Sequence, residues 1–392
     1  ERTLSIIPIG EWLTRETLRQ NRAWRDVGQD IAVAINVRVM AVILPIIFIA
    51  YIILIAIRSN SPLRTLAIAC CTVLVTVGVT ILLWPFLWEN PVENFLQSFM
   101  NMARFRWSGH VLVNGTNLIS TDLPWYYALM WMGVTTPLVS VFFICLGSIY
   151  IIAIPAVKIL TLNQRETDIL DTFFLSVPVA VILSIIVLNS VLYDGWRQLY
   201  FIYPSLVLVS AVGLDQAATI FGKLGYSKAA IYSVVYVLVF QTIITMVRMH
   251  PLQNVYFNDL TTAEDRMNRW EIDYWGLANK MALNYILTHD DASQITISAG
   301  SKTPLRESLK LLEPNERNRL KIQDELCLSD YVITNFRQVN GAKHDQYGHE
   351  FRLIWEKTVE NMPVFRIYKR NAITDMKCPS EYQMKESSDT LF

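Results

Sequence analysis

Two side chains three residues apart, Asp194 and Arg197, have types and spacing suited to chemistry. They lie in Tyr193–Pro204, YDGWRQLYFIYP, a polar and aromatic island between two long apolar runs. If this turn is helical even briefly, residues three apart share a face and can pair or grip one ligand together. A guanidinium is a rigid fork of donors suited to phosphate. Tyr193, Trp196, Tyr200 and Tyr203 would wall it with rings. The competing account is an interfacial aromatic belt with a neutralised ion pair, because Trp and Tyr collect at headgroup level in membrane proteins generally.

The elements that must position this island are apolar runs. Ile31–Ile57, Leu63–Trp84, Trp125–Val157, Ile169–Leu192, Tyr200–Phe221 and Ala229–Val247 each approach or exceed the roughly 20 residues needed to cross a bilayer. Arg38 and Asn36 interrupt the first run. An intramembrane arginine faces protein or water and is a functional candidate, unless it snorkels from a helix end.

Composition is consistent with this division. The 392 residues are 53% hydrophobic and 17% charged, with mean hydropathy +0.31 and zero formal net charge. These values are too apolar for an ordinary soluble chain and too polar for one wholly within a membrane. Zero net charge gives no case for nucleic acid. The character changes near His250, so the expected fold is mainly α. It is a polytopic transmembrane helix bundle of about six spans over residues 1–250, followed by a small extracytoplasmic α/β domain over 251–392. In the latter, QITISAG, DYVITNF and PVFRIYKR read as strands. LRESLKLLEPNERNRLK reads as helical, and RWEIDYWGLANKMALNYILTH as an amphipathic helix opened by an acidic, aromatic turn.

Arg58 with Arg64, Lys158 with Arg165, and Lys223 with Lys228 mark three cytoplasmic connections by the positive-inside rule. The loop at 85–124, the YDGWRQ turn and everything after His250 then face outward. The same alternation puts residues 1–30 outside, against their arginines. A short hairpin breaking the first run at Asn36–Arg38 would resolve the clash. The outer loop carries aromatics expected along the interface, an amphipathic PVENFLQSFMNMARF, a turn in GHVLVNGT, and the titratable Glu89, Glu93, His110 and Asp122. Exposed loop charge is the plain alternative for most of these. Asn114-Gly115-Thr116 fits a glycosylation acceptor pattern that matters only in a eukaryotic secretory compartment. Cys70, Cys71 and Cys145 fall in apolar runs, where they act as small hydrophobes. A Cys327–Cys378 disulfide is left open. The spacings show no metal motif, HExxH, GxSxG or Gly-rich phosphate loop.

Taken together and in order, WPFLW, GHVLVNGT to DLPWYY with Thr135–Pro137, LYDGWRQLYFIYP, HPLQNVYFNDL and EIDYWGL resemble bacterial polytopic glycosyltransferases of the glycosyltransferase C superfamily. The similarity is to the protein O-mannosyltransferase and aminoarabinose-transferase group and covers about Trp84 to Leu277. It implies an integral, multi-pass protein of the bacterial inner membrane. Such an enzyme moves a sugar from a polyprenyl-phosphate-linked donor to a lipid-linked glycan or protein acceptor on the extracytoplasmic face. The donor phosphate would fall to Arg197, Tyr200 and Arg38. Trp125, Tyr126, Tyr193, Trp196 and His110 would line the acceptor or interface side. Asp122 and Asp194 would support a main catalytic base expected in a loop upstream of this chain. The expected metal ligands are none, although divalent-metal dependence varies in the superfamily. Gln198, where a His is more usual, and Leu252, where a Tyr is more usual, depart from the family pattern. The alternatives from other classes are a transporter or flippase of lipid-linked sugars, and a non-catalytic membrane scaffold.

Overall fold

The computed structural model describes residues 15–58, 61–103, 107–158, 166–337 and 350–371. Its helices are α1 (Arg15–Val37), α2 (Ile43–Arg58), α3 (Pro62–Leu83), α4 (Pro91–Ala103), α5 (Tyr127–Thr135), α6 (Leu138–Lys158), α7 (Glu166–Leu188), α8 (Tyr203–Lys223), α9 (Lys228–Met249), α10 (Ala263–Arg269), α11 (Leu277–His289), α12 (Leu305–Leu309) and α13 (Pro314–Asn318). The strands are β1 (His110–Val113), β2 (Thr116–Ile119), β3 (Ile295–Ala299), β4 (Leu320–Ile322), β5 (Tyr331–Thr334), β6 (Phe351–Val359) and β7 (Met362–Arg370). They form two compact units. One comprises residues up to 107, 142–191 and 197–228; the other comprises 108–141, 192–196 and everything from 229.

Five segments are long and apolar enough to cross a membrane: Val39–Ile57, Pro62–Leu83, Leu170–Leu188, Arg197–Lys223 and Lys228–Met249. They mark a multi-pass membrane protein. The expected third span is not one helix. Pro137 ends α5 at Thr135, since the residue before a proline is driven out of helical backbone, and Leu138–Ala153 remains as a shorter apolar helix. The first expected span is also revised, because the chain breaks at Arg38, which is extended (φ −150°, ψ 118°). Thr76 Oγ1 donates to the Gly28 carbonyl at 3.1 Å and Asn36 Nδ2 to the Thr80 carbonyl at 3.5 Å, so α1 runs parallel to α3. The α1–α2 segment is therefore a hairpin, and the start of α1 lies at the same end as the Arg58/Arg64 connection.

Lipid offers no hydrophobic drive between helices, so small residues that permit close approach set the contacts. A Cβ on Gly28 would lie 2.9 Å from the Thr72 carbonyl oxygen and 3.1 Å from Val75. A Cβ on Gly147 would overlap the Val209 carbonyl, and one on Gly213 the Phe143 carbonyl, which places α6 and α8 backbone to backbone. Ile31, Ile35, Phe48, Ile52 and Ala69 form the core of this unit, with Phe95, Phe173 and Phe201 packed on it. Tyr51 meets Phe173 edge-on at 5.1 Å.

In the other unit, Asn114 (φ 49°) and Gly115 (φ 86°) make the tight turn of the β1–β2 hairpin. Left-handed backbone at both positions is what an Asn-Gly hairpin turn supplies. The larger sheet has the order β4-β3-β5-β7-β6, parallel between β4, β3 and β5 and antiparallel between β5, β7 and β6. The three strands expected here form. The expected helical stretch at 305–321 instead divides into α12, α13 and β4, because Pro314 opens a new helix and Leu320 pairs with Ile295.

Helix contact at the two glycines gives the first prediction. Gly147→Ala and Gly213→Ala each force backbone apart and should cost roughly 1–3 kcal/mol, as overpacking does. Gly78→Ala, with nothing within 4 Å of the added carbon, should leave thermal stability in detergent unchanged or raised. Equal melting temperatures for all three variants would contradict the close approach.

Candidate functional site

The YDGW turn is built on left-handed backbone. Asp194 (φ 54°) and Gly195 (φ 74°) follow one another, a conformation that Gly adopts freely and Asp tolerates. Helix α5 fixes the turn. Gly195 N–H donates to Tyr127 Oη at 3.2 Å, and Trp196 Nε1–H donates to Thr135 Oγ1 at 2.9 Å. Trp131, on the same helix, packs against Trp270 at 5.0 Å and Phe257 at 5.9 Å between ring centroids. The end of α5 would leave carbonyls unpaired. Asn258 takes them up: its backbone N–H donates to the Val134 carbonyl at 2.8 Å, and Nδ2 to the carbonyls of Gly133 and Thr136 at 2.6 and 2.7 Å.

The EIDYWGL segment enters from between α10 and α11. Trp270 bridges to Val113 of β1. Asp273 is fully buried and caps α11, accepting from the backbone N–H groups of Leu277 and Ala278 at 3.0 and 2.9 Å and from Asn254 Nδ2 at 3.0 Å. Burial pushes its carboxyl above the usual range, with those bonds opposing the shift. Asn335 Nδ2 holds the Asp273 carbonyl at 2.7 Å. An amphipathic helix opened by an acidic, aromatic turn therefore forms, with α11 starting at Leu277.

At the centre sits Arg337. Its Nη2 donates to Asp194 Oδ1 at 2.7 Å, its Nη1 to the Tyr274 carbonyl at 3.0 Å, and its Nε lies 3.8 Å from Glu271 Oε1. The side chains of Arg337, Asp194 and Glu271 are 12%, 8% and 1% exposed. The Leu112 amide favours the charged form of Glu271, but burial dominates. Removal from water pushes Glu271 up to about 7, the Arg337 guanidinium pulls it down, and the Asp194 charge pushes it up again. Glu271 therefore carries a proton that is lost near neutrality, beside the Arg337 guanidinium. Perturbed carboxyls of this kind mark functional-site candidates.

Asp194 and Trp196 thus belong to the cluster, and Tyr193 is in the same turn. Trp125 and Tyr126 are exposed just before α5, in edge contact at 5.6 Å. His110 is the exposed first residue of β1, and Asp122 is exposed in the approach to α5. Arg38, Arg197 and Tyr200 belong to the membrane-helix unit. Arg38 is exposed at the break after α1, while Arg197 opens a 3-10 helix, Arg197–Ile202, on which Tyr200 is exposed. The expected common helical face for Asp194 and Arg197 does not form, because the left-handed pair 194–195 precedes the first helical residue, Arg197. Glu271 stood inside a quoted motif without a role. Arg337 carried no signal in the sequence, since nothing local distinguishes it.

Among the described residues, no group of three or more His, Cys, Asp or Glu could hold a metal. Cys327 is disulfide-bonded, whereas Cys70, Cys71 and Cys145 are free thiols. Cys378, the partner considered for Cys327, lies outside the described residues. Comparison with protein-family models, curated proteins and solved structures yields no match.

Two outcomes follow from the burial of this cluster. The folded carboxyl of Glu271 is raised from 4.5 to about 7, so its contribution to stability is present below pH 4.5 and lost as pH rises through about 7. Glu271→Gln should flatten that fall, which amounts to at most about 3 kcal/mol at 1.36 kcal/mol per pH unit, in thermal melts followed by near-ultraviolet circular dichroism. Arg337→Met strands two buried carboxyls and should cost about 3–5 kcal/mol. Adding Asp194→Asn and Glu271→Gln to that variant should recover most of the loss in resistance to proteolysis; no recovery would assign the cost to lost packing.

Proposed function

We propose that this multi-pass membrane protein is a glycosyltransferase that moves a sugar from a polyprenyl-phosphate-linked donor to a lipid-linked glycan or protein acceptor on the extracytoplasmic face. One observation carries the proposal. The motifs that resemble the glycosyltransferase C superfamily are far apart in sequence, and DLPWYY, TTP, YDGW, HPLQNVYFNDL and EIDYWGL come together around Trp131 and the Asp194–Arg337–Glu271 cluster.

The chemistry assigns roles. A departing lipid phosphate needs a cation at the interface. Arg197 serves this purpose, with Tyr200 on the same turn and Arg38 as a further cation. The acceptor hydroxyl must lose a proton to an acidic group. Asp194 and Asp122 are the supporting carboxylates, and Glu271, shut away from solvent, acts on Asp194 by way of Arg337 as a positioning residue. Trp125, Tyr126, Tyr193, Trp196 and His110 supply the aromatic and polar surface for an acceptor. An outward setting for the region after His250 is supported by the disulfide at Cys327, which an oxidising compartment favours. It also agrees with the basic residues Arg64, Lys223 and Lys228 at connections that alternate with it along the chain.

The burial of Glu271 favours a second reading, a scaffold in which the cluster serves only to hold the fold. Transfer from a radiolabelled polyprenyl-phosphate sugar pool in membranes separates the two. Arg197→Ala should reduce transfer by about 100-fold, the scale seen when a charge-stabilising donor is removed, at an unchanged protein level. Transfer that is undiminished in the variant returns YDGWRQ to an aromatic belt, and flipping of the lipid-linked sugar without transfer would make the protein a transporter.

A further inference from the structure

Helix α4 leaves two adjoining faces uncovered, and they differ in character. The chain leaves α3 through Trp84, makes one 3-10 turn at Pro85–Leu87 and enters α4 at Pro91. The junction is fixed at both ends. Trp88 Nε1–H donates to the Ile81 carbonyl at the end of α3 at 2.8 Å, and Phe95 meets Trp84 edge-on at 6.3 Å. Phe95 also packs on the Ile31–Ile52 core, so one side of α4 is held against its own unit.

Val92, Leu96 and Met100, one helical turn apart, are 74%, 54% and 45% exposed, and Trp88, four residues upstream of Val92, is 62% exposed. Beside them, Glu93, Gln97 and Asn101 are exposed as a parallel row. At about 100° per residue, the first row spans about 80° of arc and the second the next 80°. The remaining arc holds Pro91, Phe95, Ser98 and Phe99, which are half-buried. A helix against water alone would show one polar outer face. A helix under a protein partner would not continue an apolar strip that begins on a span, yet Leu82, Leu83 and Phe86 at the end of α3 are exposed too and lead into Trp88.

We infer that α4 lies flat in the membrane interface at the end of α3, with Trp88, Val92, Leu96 and Met100 seated among lipid acyl chains and Glu93, Gln97 and Asn101 directed to water. The occupant of the apolar row is phospholipid. An amphipathic helix with a narrow apolar face next to a polar one is the form that settles at the headgroup boundary. The indole of Trp88, hydrogen-bonded at its polar end and bare on its ring, suits that depth. This inference is independent of the proposed reaction, because it requires only that α3 crosses the bilayer.

The test places p-benzoylphenylalanine singly at positions 92, 96 and 100 and at 93, 97 and 101 of the full chain, in membranes containing radiolabelled phospholipid. All six positions are exposed, so the probe leaves the packed face untouched. After irradiation, lipid adducts from the first three should exceed those from the second three by about 10-fold, reflecting burial of one face in acyl chains. Equal lipid labelling of the two rows would overturn the inference. So would cross-links from 92, 96 and 100 to polypeptide, whether to a second copy or to a different protein.

Discussion

The second unit depends on one largely buried guanidinium. Arg337 ties the Asp194 turn to the Tyr274 backbone and stands beside Glu271, joining segments of chain up to 143 residues apart. Charges taken out of water are costly, and their mutual attraction repays the cost only when geometry and further hydrogen bonds are good. Nearby polar bonds fix the backbone around the cluster. Tyr127 holds Gly195, Asn335 holds the Asp273 carbonyl, and Asp273 caps α11. The left-handed backbone at Asp194 has a purpose in this setting, since its carboxylate meets Arg337 within the same unit.

The helices of the first unit are held by a different force. Their apolar surfaces gain nothing by leaving lipid for one another, so contact is decided by where backbones can approach. Gly28 against Thr72 and Val75, and Gly147 against Gly213, are those places. Thr72, Thr76 and Thr80 lie buried along the α1–α3 contact, and Thr76 and Asn36 provide hydrogen bonds across it. By contrast, α9 has Met249 alone among its residues buried, as suits a helix in contact with lipid.

A carboxyl titrating near neutrality beside an arginine and a second carboxylate is chemically useful and structurally expensive. Glu271 owes its raised pKa chiefly to burial, and Arg337 moderates the shift. The same arrangement that could assist proton removal from an acceptor hydroxyl also makes the fold sensitive to pH. Under the proposed function, activity and stability would be linked through the same three side chains, while Arg197 and Tyr200, at the start of the 3-10 turn, belong to the other unit.

The spans were legible in the sequence because a bilayer demands a fixed apolar length, and that demand falls on contiguous residues. The Asn114-Gly115 turn and the β-branched strands β3 and β5 were legible for a similar reason, since their causes are local. The break at Arg38 was legible as a conflict of charge and topology, and α3, running beside α1, decided how it resolves. Strand β6 escaped notice because its residues, FRLIWEKTV, do not alternate cleanly; pairing with β7 makes it a strand. The YDGWRQ island stood out by composition, yet Arg197 proved to begin a helical turn while Arg337 became the partner of Asp194. Sequence alone determines elements whose energy comes from near neighbours. A pairing across 143 residues gains its energy only when the folded chain removes both charges from water, and so it was decided by tertiary structure.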